Sequence, residues 1–199
     1  MDLLIVALTF AAIFVVELPD KTFIATLVLS TKFRPLFVWI GVGLAFLVQT
    51  AVAVGLGKAA TLLPDVVVQS AAVTMFLLGA IILVREARAH EAAEGDEEED
   101  FAAKAGDAQG YTVILTSFLV LFAAEWGDLS QLLTLSLVAR YDDPVSVFLG
   151  AWGALLAVSG LAVVVGRVLL ARIALSRLHH LGAGVCVLMA CLTVWEMTR

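Results

Sequence analysis

The chain has 199 residues, 62% of them hydrophobic and only 15% charged, with a net charge of −6. Its mean hydropathy of +1.04 leaves more apolar side chain than one soluble domain can bury, so a water-soluble enzyme is excluded and lipid is the expected solvent. The acidic balance gives nucleic acid no footing, and the two cysteines, Cys186 and Cys191, both inside an apolar stretch, give no disulfide framework.

A bilayer core about 30 Å thick takes roughly 20 apolar residues per helix. Six stretches meet that need, at residues 3–30, 36–57, 66–84, 111–139, 145–165 and 178–195. The first has Asp2 where a signal peptide carries a basic segment, and no small-residue cleavage site, so it reads as a retained helix. The first and fourth stretches, at about 29 residues or ~43 Å of helix, exceed a straight span and predict a kink or tilt.

Between the third and fourth stretches lies a long connection. It holds Glu91, Glu94, Asp96, Glu97, Glu98, Glu99 and Asp100, a run that cannot pack and reads as a solvated linker able to gather cations. The division is therefore a first three-helix unit at 1–85, an acidic linker at 86–110 and a second three-helix unit at 111–199. In the last stretch, His179 and His180 lie beside a basic connection, and Trp195 and Glu196 fall where a headgroup anchor is expected.

Lys and Arg number eight on one set of alternate connections and three on the other. That bias places both termini outside and the acidic linker in the cytoplasm.

The two units read as copies. Glu17-Leu18-Pro19-Asp20-Lys21-Thr22 aligns with Glu125-Trp126-Gly127-Asp128-Leu129-Ser130 at an offset of 108, and Thr26 falls on Thr134. With one residue inserted, Pro35 falls on Pro144, Gly41 on Gly150 and Gly57 on Gly166. Each copy has an odd number of spans, so the second enters the membrane from the opposite side. The expected fold is an all-α integral membrane protein of six transmembrane helices in two inverted three-helix repeats, a recurring plan of secondary transporters, with helices 1 and 4 kinked or broken at the motifs.

Glu17, Asp20, Glu125 and Asp128 fall mid-span. A carboxylate there costs ~3 kcal/mol on insertion scales, so four of them require water, a counter-charge or a metal. Spacing of i to i+3 puts each pair on one helix face. Pro19 removes a backbone donor and opens the first helix, and Gly127 permits a matching break in the second. Further oxygens come from Thr22, Thr26, Ser130, Gln131 and Thr134, with Gln49 mid-span in the second stretch as a candidate ligand or interhelical hydrogen-bonding group.

No His or Cys joins them. An all-oxygen anionic set suits hard cations such as Ca²⁺, Mg²⁺ or Mn²⁺ rather than Zn²⁺ or Cu⁺. Four carboxylates and Lys21, a potential internal counter-ion, carry −3 together, which one dication brings to −1. Metal and protons would then compete for the same oxygens, predicting antiport.

These paired motifs resemble the signature Glu-x-Gly-Asp-Lys-(Ser/Thr) of the GDT family of cation/proton exchangers, which includes Golgi and bacterial manganese and calcium transporters. The resemblance runs the full length of the chain. It implies export of Mn²⁺, or Ca²⁺, from the cytoplasm in exchange for protons, and it carries onto Glu17, Asp20, Lys21 and Thr22 and onto Glu125, Gly127, Asp128 and Ser130. Pro19 departs from the first Gly of the pattern and Leu129 from the second Lys, which removes one positive charge. The expected protein is not an enzyme and needs no cofactor beyond the transported ion. It sits in a prokaryotic plasma membrane, with the divalent ion and the bilayer as partners and a homo-oligomer compatible with the sequence. The alternative within transport is a Ca²⁺/H⁺ exchanger, and a more distant one is an intramembrane metal-dependent or aspartyl hydrolase.

Overall fold

The computed structural model describes residues 1–18, 20–62, 64–89, 103, 106, 108–172, 183–184, 186–188 and 190–195. The acidic run, His179, His180, Glu196 and Pro19 lie outside them, as does the side chain of Lys21.

Among the described residues eight helices follow one another: α1 (Leu3–Glu17), α2 (Lys21–Lys32), α3 (Pro35–Ala60), α4 (Asp65–Ala89), α5 (Thr112–Ala124), α6 (Leu129–Tyr141), α7 (Pro144–Arg172) and α8 (Cys186–Trp195). No strand occurs among the described residues. The helix boundaries have local causes. Asp2 accepts from the Leu4 amide at 2.8 Å and starts α1. α3 and α7 open on prolines, whose missing N–H would have been unsatisfied in a first turn anyway. Asp142, in the left-handed region at φ 47°, stops α6.

α3 and α7 pack on each other at the centre. α1 runs along α7 and α5 along α3, while α2 leans on α7, α6 on α3, and α4 on α6. Indole bonds tie the central pair in both directions, Trp39 Nε1 to the Leu156 carbonyl and Trp152 Nε1 to the Gly43 carbonyl, each 3.1 Å.

In lipid the hydrophobic effect does little to join one apolar helix to another, so close backbone approach has to supply the adhesion. Two glycines permit it. A side chain at Gly150 would meet the Val6 carbonyl and Thr9, and one at Gly41 would meet the Ile114 carbonyl and Ser117. Offsets of 108 and 109 carry one contact set onto the other.

The outer faces are apolar. Along α3, Leu36, Ile40, Leu44, Val48, Val52 and Leu56 are exposed at every fourth position, the stripe a lipid-facing helix presents. α3 and residues 144–164 of α7 are each long and apolar enough to cross a membrane, and the count rises to four if the bent pairs α1–α2 and α5–α6 are one span each. Six spans are expected from the sequence. The other two apolar segments, Val66–Ile82 within α4 and Cys186–Trp195, are shorter.

Candidate cation site at the paired helix breaks

The helices named by the two motifs are broken within them. α1 ends on Glu17 and α2 turns away by 71°, and α5 and α6 meet at 73°. Both breaks are closed by the same short bond: the Asp20 amide donates to the Glu17 carbonyl and the Asp128 amide to the Glu125 carbonyl, each at 3.2 Å. Gly127 sits at φ +79°, a conformation that side chains with a Cβ rarely adopt, so glycine makes the second bend accessible.

The breaks face each other and bring the four acids together. One carboxylate oxygen each from Glu17, Asp20, Glu125 and Asp128 lies within 4.8 Å of the other three. Oxygens on opposite sides of one Ca²⁺ stand about 4.6–5.2 Å apart and those around Mg²⁺ about 4.0–4.2 Å, so this spread fits a single coordinated ion. Glu17 and Glu125 are completely buried, Asp20 and Asp128 partly so. Unit charges at such spacing repel by about 4 kcal/mol per pair at an effective dielectric of 20, a cost that a bound cation reverses.

Thr22 lies between the halves. Its hydroxyl is 3.2 Å from Glu17 Oε1 and also hydrogen-bonds Glu125 Oε1. Thr26, one turn on, is buried with no hydrogen-bond partner among the described residues, as is Glu17 Oε2. In the second half Ser130 is buried and its carbonyl accepts from Thr134 at 2.7 Å.

Two amides bond backbone carbonyls beside the second break, Gln49 through the interhelical hydrogen bond that is one of its two expected roles. Gln131 spans the second break: its Nε2 donates to the Glu125 carbonyl at 2.9 Å, and its Oε1 accepts from the Gly127 amide at 3.2 Å. Gln49 reaches from α3 and donates to the Phe122 carbonyl at 3.0 Å. Phe122 lies in the last turn of α5 and Glu125 caps it, where the bend interrupts the helical ladder and leaves the Glu125 carbonyl with the Asp128 amide and the Gln131 amide as donors. Leu129, in place of a motif lysine, lies against Gly79 of α4, where an added Cβ would force the Leu129 side chain to shift.

Sequence reasoning missed Thr9 and Ser117, two buried hydroxyls at the closest helix crossings, neither with a hydrogen-bond partner among the described residues. Each lies eight residues before a motif glutamate, and the offset of 108 that links the motifs links this pair too.

The fold and the site define an α-helical, membrane-type protein with an anionic oxygen cluster between two broken helices. The family profile described as a divalent cation/proton antiporter, GDT1, matches residues 5–91 and again 113–199. The chain belongs to that family. Among its relatives are a GDT1-like protein of Synechocystis, 32% identical over 69% of this chain and 67% of its own length, and GDT1-like protein 3 of Arabidopsis thaliana, 28% identical over 83% of this chain and 61% of its own. A Vibrio cholerae protein named "Putative manganese exporter" is 26% identical over 96% of this chain and 90% of its own length. The chain spans about three fifths of the Arabidopsis relative. No solved structure matches.

Proposed function

We propose that this chain exports a divalent cation, Mn²⁺ first, from a prokaryotic cytoplasm in exchange for protons, with Glu17, Asp20, Glu125 and Asp128 as the ligands at mid-membrane. The observation that carries the reading is the convergence of four acids from two breaks 108 residues apart, with their oxygens within 4.8 Å. A permanent ion pair would need cations. Only Lys21 lies within the motifs, so an exchangeable ion has to supply the rest of the positive charge.

The six-span inverted repeat is part of the proposal. It is supported by the doubled family match, by the two bends within a few degrees of each other, and by the glycine crossings that map onto one another. In such a fold the breaks meet at the midplane, and rocking of one half against the other alternates access to the ion. On this reading Thr22, Thr26, Ser130 and Thr134 add oxygens as carboxylates exchange metal for protons, and Lys21 stands in for the metal. Both termini would lie outside and the acidic linker inside, following the Lys and Arg bias.

Mn²⁺ rests on the all-oxygen ligands and on the name of the Vibrio cholerae relative. Ca²⁺/H⁺ exchange is the second reading, since an upper spacing of 4.8 Å suits the longer Ca²⁺–oxygen distance as well. The test is uptake of Mn²⁺, Ca²⁺ and Mg²⁺ in parallel by proteoliposomes, with and without a pH gradient, with the Asp20→Asn protein as blank. Mn²⁺ flux that rises with an opposing proton gradient and vanishes in the blank is expected. Flux indifferent to the gradient would overturn antiport, and equal flux in the blank would overturn the site.

A further inference from the structure

The two breaks share a backbone plan but are walled differently. Position 131 of the second half corresponds to position 23 of the first, and position 49 to position 158, by the offsets of 108 and 109 that align the motifs and the flanking helices. The second break is therefore bordered by Gln131 and Gln49, and the first by Phe23 and Val158. Among these four positions the polar character is all on one side.

The apolar side is shut. Phe23, Val158 and Ala162 are buried and form a cluster separate from the main core, with Phe14, Leu18 and Leu161 packed against it. Phe23 directly follows Thr22, the residue that bridges Glu17 and Glu125. The amide side is open at Gln131, which is only partly buried, beside Trp126, 60% exposed, and Gly127, where an added Cβ would meet nothing within 4 Å, while Gln49 is buried.

An ion approaching the carboxylates has to shed water, and amide groups can replace it whereas a phenyl ring against valine cannot. A constriction of such side chains excludes ions by drying. Resting on the inverted repeat argued above, we propose that in this conformation the ion reaches the carboxylate cluster past Gln131 and Gln49, and that Phe23, closed on Val158 and Ala162, is the dry gate on the pseudo-equivalent route. The amides serve twice on this assignment. They donate to the carbonyls of Phe122 and Glu125, and they keep a polar wall where the other half has an apolar plug.

Accessibility tests this without relying on transport. In a Cys186→Ala, Cys191→Ala background, Gln131→Cys and Phe23→Cys are labelled in purified full-length protein with a charged, water-soluble thiosulfonate, which needs an exposed thiolate. Labelling at 131 faster than at 23 by about tenfold or more is expected, because a thiol sealed in an apolar cluster neither ionises nor meets the reagent. Equal rates, faster labelling at 23, or no labelling at either would overturn the proposal.

A second arm reads the gate itself. In proteoliposomes Phe23→Ala is expected to lower the ratio of protons to metal ions exchanged by at least about twofold, since an open dry gate lets metal pass uncoupled, while Phe23→Leu keeps the ratio. An unchanged ratio in Phe23→Ala would also overturn the gate, and Val158→Ala serves if Phe23→Ala does not fold. Failure of the underlying site is distinguishable: it appears as transport surviving in Asp20→Asn while the labelling difference persists.

Discussion

The hydroxyl of Thr22 joins Glu17 to Glu125 across 108 residues of sequence, at 3.2 Å from the first and in direct hydrogen bond with the second. The contact couples the two broken helices at the point where their charges meet. A side chain that contacts both glutamates constrains how far apart they stand.

Removing that hydroxyl should weaken ion binding more than it weakens the fold. Hydrogen bonds to charged groups are worth about 1.5–3 kcal/mol, so Thr22→Val is expected to raise the transport KM by about tenfold or more. Thr22→Ser keeps the oxygen and should stay near wild type. Measured KM values for the pair decide it, and an unaltered KM in Thr22→Val would remove Thr22 from the site.

Neutralising any one acid should abolish metal binding while the protein still folds. A ligand at 100 times its Kd stabilises the folded state by about 2.7 kcal/mol. Mn²⁺ is therefore expected to raise the thermal midpoint of the wild type, and to leave that of Glu17→Gln, Asp20→Asn, Glu125→Gln and Asp128→Asn unmoved. Thermal unfolding in detergent with and without metal reads this directly.

The glycine crossings should be intolerant of side chains. At Gly150 even a Cβ would lie 2.6 Å from the Val6 carbonyl oxygen and 2.8 Å from the Thr9 Cβ, so Gly150→Val forces α1 and α7 apart at a cost of about 1–3 kcal/mol or more. Gly55, which has nothing within 4 Å, supplies the control. Unfolding midpoints should fall for Gly150→Val and Gly41→Val and stay put for Gly55→Val.

Gly127 is constrained by conformation and not by space. Its φ of +79° with open surroundings predicts that Gly127→Val loses about 1–2 kcal/mol to the left-handed penalty, and that Gly127→Asn loses less, since Asn tolerates that region. Equal losses for the two would show that the dihedral is not the cause.

Acid should loosen the start of α7 specifically. Asp143 accepts from the Ser146 hydroxyl and amide and from the Asp2 amide, and these bonds, the Ser146 hydroxyl first, hold its carboxyl below the usual carboxylate range. A lowered folded-state value means that the stabilisation is present above the ordinary carboxylate pKa of about 3.9 and disappears as pH falls through the lower folded value. Unfolding midpoints plotted against pH should drop less steeply below pH ~4 in Asp143→Asn than in the wild type. Identical slopes would argue against the cap.

Much of the candidate site was legible because carboxylates in an apolar stretch are costly enough to announce themselves, and because the repeat printed the motif twice. Glu17, Asp20, Glu125 and Asp128 stand out on those grounds alone. Gln131 did not reveal its work, whereas Gln49, expected as a ligand or an interhelical hydrogen-bonding group, makes the interhelical bond. An amide in a sequence reads the same whether it faces an ion or ties off a carbonyl, and only the bend at residues 125–128 creates carbonyls in need of donors. Thr9 and Ser117 looked like ordinary helix residues until their helices crossed at Gly150 and Gly41.

The sequence by itself determined that the chain is made of apolar helices, that its two halves correspond, and which four acids are too expensive to be ornamental, because hydropathy, spacing and charge are properties of the string. Tertiary structure alone decided that the two acid pairs meet within ion-coordinating distance, that one break is walled by amides and the other by Phe23 and Val158, and that glycines set the helix crossings. Those depend on which surfaces meet in space, and contacts between residues a hundred positions apart leave no local trace in the residues that make them.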